Sequence, residues 1–141
     1  MATIETVYLG DLRTEATHVQ SGTKIITDAP VDNQGKGEAF SPTDLLSASL
    51  ASCMLTIMGI KARNMNINID NTKCSVTKIM AANPRRVAEI VISFKFPKSY
   101  TAEEQRMLEN AALTCPVYYS VHEDLKKTVD FGWQVEEKAA V

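Results

Sequence analysis

The chain has 141 residues, 45% of them hydrophobic and 23% charged, the profile of one soluble globular domain with a core of ordinary size. Fifteen Lys and Arg against seventeen Asp and Glu leave a formal charge of −2, which excludes the basic footprint of a nucleic-acid or anionic-membrane binder. A domain of this length buries roughly two-thirds of its unfolded surface, so its three cysteines are not needed as staples.

Taken in order, residues 2–9 and 12–19 alternate well enough to predict two strands joined at Gly10-Asp11, and Thr23 to Thr27 predicts a third after Ser21-Gly22. Asp28 to Phe40 carries Pro30, Asn33, Gly35 and Gly37 without periodicity and reads as the one long loop. Ser41, Pro42 and Asp44 form a helix-start signature. From Pro42 to about Asn64, Leu46, Leu50, Cys53, Met54, Ile57 and Ile60 then recur at helical spacing, predicting a long, largely buried helix.

Alternation resumes over Asn66 to Asp70 and again over Ser75 to Met80. A turn at Ala82-Asn83-Pro84 leads to a strand holding Val87, Ile90, Ile92, Phe94 and Phe96. Thr101 and Glu104 make a capping box for a helix ending near Thr114. Pro116 to about Leu125 predicts a short helix, Thr128 to Val135 a last strand, and Glu136 to Val141 a frayed tail. Helices grouped between strand pairs imply an α+β fold, a single domain over 1–141, built on antiparallel sheets. The breadth of apolar positions on the long helix further suggests a homodimer sharing it.

Met1 to Thr6 has neither the positive nor the apolar region of a secretory leader. The apolar stretch Leu45 to Ile60 is interrupted by serines and reads as too short for a bilayer. A cytoplasmic protein touching no membrane is expected, and there a reduced cysteine pair is more often catalytic than structural. Cys53 lies about three turns into the long helix, either as a small core residue or as a reactive thiol. Cys115 directly precedes Pro116, at a helix start where amide N–H groups favour a thiolate. Cys74, in a strand between polar neighbours, reads as structural or incidental. The spacing matches neither a thioredoxin motif nor a zinc knuckle.

His18 and His122 read as surface residues, and Arg85-Arg86 as a solvated pair. Gly35-Lys36-Gly37 lacks P-loop spacing.

The run Phe40-Ser41-Pro42-Thr43-Asp44-Leu45-Leu46 leading to Leu50-Ala51-Ser52-Cys53, the later Leu113-Thr114-Cys115-Pro116-Val117, the Gly35-Lys36-Gly37 loop and the closing Val129-Asp130-Phe131 together resemble the OsmC/Ohr family. The resemblance implies an α+β fold with a long buried central helix, in which two chains intertwine as a homodimer. It also implies a thiol-dependent peroxidase in oxidative-stress defence. Cys53 would attack an organic hydroperoxide and become a sulfenic acid, and Cys115 would resolve it as a disulfide. An external thiol or dihydrolipoyl-type reductant would reopen that bond, with no metal or cofactor.

The chain departs from the peroxidase pattern at Thr43, where those enzymes carry a glutamate, with Asp44 adjacent and suited to capping. It departs again in the second and third strands, which offer Gln20 and Lys24, with Arg13 further upstream. An OsmC-like protein that binds small molecules or senses redox state without efficient peroxide activation is the second reading.

Overall fold

A computed structural model describes residues 1–134, and their packing divides the chain into two compact units, Met1–Leu46 and Ser47–Val141. The expected end of the last strand at Val135 and the expected frayed tail lie outside the described residues.

The first unit is an antiparallel meander of β1 (Ile4–Gly10), β2 (Arg13–His18) and β3 (Lys24–Asp28). The β1–β2 reversal needs left-handed backbone at Gly10, Asp11 and Leu12 (φ +90°, +53° and +62°), a conformation glycine and aspartate tolerate better than most residues. Register places Arg13 opposite Asp28 and Thr14 opposite Thr27, so each pair shares a face of the sheet. The loop after β3 holds one short 3₁₀ turn, Val31–Asn33. It is pinned where Gly35 N–H donates to the Pro30 carbonyl at 2.9 Å and Gly37 N–H to that of Ala29 at 3.2 Å. A Cβ on Gly35 would sit 1.7 Å from the Ala29 oxygen, so only glycine fits.

Helix α1 (Pro42–Asn64) begins in this unit. Ser41 Oγ accepts from Asp44 N–H and Asp44 Oδ2 accepts from Ser41 N–H, both at 3.0 Å, a reciprocal capping box with Asp where Glu is commoner. Its 23 residues span about 35 Å. That corrects the expectation of a stretch too short for a bilayer: by length and composition α1 is apolar enough to cross one. Leu50, Met54, Met58 and Ala62, spaced four apart on one stripe, are nevertheless buried in a protein core, whereas Ile60 is exposed.

In the second unit that stripe joins the inner face of a sheet ordered β4 (Lys73–Ala81), β5 (Arg86–Lys95), β6 (Lys126–Asp130). Central β5 supplies Ile90, Ile92 and Phe94, with Phe96 beyond its end. Val87 falls out of step with them because the register slips between Ile79 opposite Glu89 and Met80 opposite Val87. This is a bulge that lets both phases point inward.

Three expectations are corrected here. Asn66 to Asp70 is no strand: Asn66 and Asn71 take left-handed φ of +60° and +68°, and turn chemistry overrides the alternation. Strand β6 runs parallel to β5, Glu89 facing Lys126 and Ser93 facing Asp130. The intervening helices α2 (Ala102–Ala112) and α3 (Pro116–Ser120) carry the chain back to the end where β5 began, so the next strand must enter in the same direction. The remaining strand pairs are antiparallel. Helix α3 stops at Ser120 rather than near Leu125, and β6 starts at Lys126.

Candidate functional site

Helix α2 is opened by the expected capping box: Glu104 N–H donates to Thr101 Oγ1 at 3.1 Å, and Thr101 N–H to Glu104 Oε1 at 2.8 Å. Its inward residues Leu108 and Ala112 are buried, and after Leu113 the chain turns extended, placing Cys115 (φ −74°, ψ 152°) at the N-cap of α3 with Pro116 as the first helical residue. The Cys115 sulfur accepts from Tyr118 N–H at 3.4 Å and is fully buried.

The sequence leads one to expect a lowered thiol pKa at this helix start. Burial instead pushes the Cys115 thiol up, and its neighbour Cys53 pushes it the same way. The amides of Tyr118 and Val117 pull down but lose. Cys115 is thus held as a neutral thiol. Cys53, about one turn beyond the buried Leu50 of α1 and half-buried itself, packs against the core and faces Cys115 closely enough for the two sulfurs to interact. Both thiols are free. Residues distant in sequence therefore form one sulfur pair, on two helical segments anchored in the same core.

Cys74 stands apart, in β4 opposite Phe94, where burial raises its pKa. It is a free thiol, half-buried against the core.

A charged cluster occupies the first unit. Arg13 Nε donates to Asp28 Oδ1 at 2.7 Å and its Nη2 to Asp28 Oδ2 at 2.8 Å, and the same Nη2 reaches Glu38 Oε2 at 2.9 Å. Glu38 N–H also donates to Asp28 Oδ2 at 3.2 Å. Asp28 is only 1% exposed, and the Arg13 fork holds its carboxyl below the usual carboxylate range, against burial that pushes the other way. The guanidinium is correspondingly held charged. Arg13 thus spends its planar fork on Asp28 and Glu38, whereas Lys24 forms a surface ion pair with Glu15 at 3.3 Å. Asp44 caps α1, and Thr43 Oγ1 lies 3.2 Å from Ser41 Oγ.

His122 Nδ1 accepts from Asp124 N–H at 3.0 Å and His18 Nδ1 meets Ser21 Oγ at 2.6 Å, both exposed local contacts. Arg86 donates to the carbonyls of Ala82 and Pro84, tying the turn. Among the described residues no cluster of three or more His, Cys, Asp or Glu is placed to hold a metal ion.

Comparison with known proteins adds three findings. The family model described as OsmC-like protein matches residues 35–130. A crystal structure from Psychrobacter arcticus, of a protein provisionally described as an osmotic stress induced and detoxification response protein, is 59% identical, covers 92% of this chain and 95% of its own, and superposes with a TM-score of 0.90. An OsmC-like protein from Mycoplasma pneumoniae (22% identity, 90% and 92% covered, TM-score 0.74) and an organic hydroperoxide resistance protein, OsmC, from Legionella pneumophila (15% identity, 92% and 96% covered, TM-score 0.71) share the fold. Comparison with curated proteins gives no match.

Proposed function

The chain belongs to the OsmC-like family, and from that premise we propose that it is a thiol-dependent peroxidase for organic hydroperoxides, acting in oxidative-stress defence in the cytoplasm. The observation that carries this reading is the pair of free thiols, Cys53 half-buried and Cys115 fully buried, facing each other across two helices.

The two environments suit different roles. The Cys53 thiolate attacks the distal oxygen of the hydroperoxide; the O–O bond breaks, the alkoxide leaves and takes a proton as the alcohol, and the sulfur becomes a sulfenic acid. Cys115, kept neutral by burial, does not compete for the peroxide. Once its proton is lost it attacks the sulfenic sulfur; water leaves and a disulfide forms. An external dithiol of dihydrolipoyl type then reduces that bond by thiol–disulfide exchange. These steps run on sulfur alone. Kinship with proteins named for organic hydroperoxide resistance supports the choice of oxidant.

The test mixes fully reduced protein with stoichiometric cumene or tert-butyl hydroperoxide and follows thiols and disulfide by mass spectrometry. Rapid loss of two thiols with a Cys53–Cys115 bond is expected, and Cys53→Ser should abolish it. Cys115→Ser should still consume one equivalent of peroxide but stop at sulfenic acid, trapped by dimedone. Thiols that outlast an excess of hydroperoxide would sink the peroxidase reading and leave a small-molecule-binding member of the family.

A further inference from the structure

The second half of α1 and the length of α2 enclose a groove of about 540 Å³, within the size range of small-molecule sites. Its α1 wall is Ile57, Ile60, Lys61 and Asn64, a stripe at helical spacing. Its α2 wall includes Arg106, Met107, Asn110 and Ala111, again one helical face. No acid lines it.

Two features set it apart from an ordinary solvated seam. The side chains of Lys61, Asn64, Arg106 and Asn110 carry no hydrogen bond or ion pair to a described residue, so two positive charges and two amides line the groove with no partner among the described residues. Lys61 alone would be ordinary, since a cation in the last turn of a helix complements its dipole. Arg106 lies in the middle of α2, where no such reason applies. Between these polar heads the surface is apolar, from Ile57, Ile60 and Met107, the amphipathic lining that binds a chain at one end and a charge at the other.

We propose that this groove binds an anionic amphiphile, a medium-chain carboxylate whose head lies between Lys61 and Arg106 and whose chain lies on Ile57, Ile60 and Met107. Charge complementarity selects this occupant. An anion meets two unpaired cations and two amide donors, whereas a cation or a neutral chain leaves both charges unanswered. The lining also includes Thr114, beside Cys115, but neither sulfur, and a binding test without peroxide keeps its outcome distinguishable from that of the peroxidase reading.

The experiment is isothermal titration of the full chain with decanoate below its micellar concentration, against decanol and decyltrimethylammonium as chains of equal length with no charge and opposite charge. Saturable binding of one decanoate per chain is expected, with decanol at least tenfold weaker and the cation not binding. The double variant Lys61→Gln, Arg106→Gln should weaken decanoate about tenfold while leaving decanol unchanged. Both side chains reach solvent, so these variants should fold, with circular dichroism as the check. Cys53→Ser should bind decanoate as the parent does. Equal binding of decanoate and decanol, an unaffected double variant, or no binding because a second copy of the chain covers the groove would each overturn the proposal.

Discussion

Arg13, facing Asp28 from the neighbouring strand, is the main group that holds this buried carboxyl below its ordinary range, helped by the Glu38 amide and Lys36, and the consequence is a pH dependence of known sign. A carboxylate whose folded pKa is lowered contributes stability that is present above its unfolded value, about 3.9, and is lost as pH falls through the folded value. The thermal midpoint of Asp28→Asn should therefore lie below the parent at pH 7, with the gap closing as pH is brought below about 4. A gap constant from pH 7 to 3 would show that the fork contributes no ionic stabilisation. In the sequence Arg13 is legible only as a cation upstream of Gln20 and Lys24. The signal that identifies it is register: pairing β2 with β3 across Gly22 puts Arg13 and Asp28 opposite each other, and no strand boundary needs to be known well for that. Cys115 was legible as a thiol at a helix start, but its burial was not, because a five-residue helix says nothing about what covers its cap. In the native protein at pH 7, iodoacetamide should modify Cys53 first and spare Cys115 until denaturant is added, read by peptide mass mapping. Equal labelling would contradict the buried neutral thiol.

Helices were the more readable elements because caps are local. The boxes at Ser41–Asp44 and Thr101–Glu104 are both present as the residue spacing implies, and α2 offers a measurement of what each layer contributes. Thr101→Ala removes one acceptor from an exposed cap and should lower stability by about 1 kcal/mol. Leu108→Ala, at a fully buried position, leaves a cavity and should lower it by about 2–5 kcal/mol. Urea unfolding monitored through Trp133, which stacks on Phe96 at 4.1 Å and donates to Glu109 at 2.8 Å, reads both. A Thr101→Ala loss as large as that of Leu108→Ala would mean the cap orders more than its helix. Strands were less readable for non-local reasons. The direction of β6 depends on where two helices deliver the chain, and the bulge near Val87 depends on its partner strand. Asn66 to Asp70 shows the converse, a local alternation that tertiary context and left-handed asparagines overrule.

At the scale of the whole molecule, the two units differ in what they bury. Every apolar residue of the buried core belongs to the second unit, whereas the first buries only Thr27, Asp28 and Ser41. Its sheet nevertheless carries Ile4 and Tyr8 on one face of β1 and Val7 and Leu9 on the other, all more than half exposed. Three strands without an apolar side protected from water are marginal, and apolar groups on both faces call for a cover on both. A second copy of the chain is the partner that every molecule has available, and the intertwined homodimer that the family resemblance implies would supply it with closed two-fold symmetry. Light scattering behind size exclusion should then give twice the chain mass of 15.5 kDa. Val7→Lys separates the cases. On a monomer it is an exposed substitution with an effect within about ±0.5 kcal/mol. Across a subunit interface it buries an unpaired charge, so the variant should shift toward the monomer and its thermal midpoint should fall and become concentration-dependent. A parent that runs at single-chain mass, with Val7→Lys as stable as the parent, would require another cover for β1.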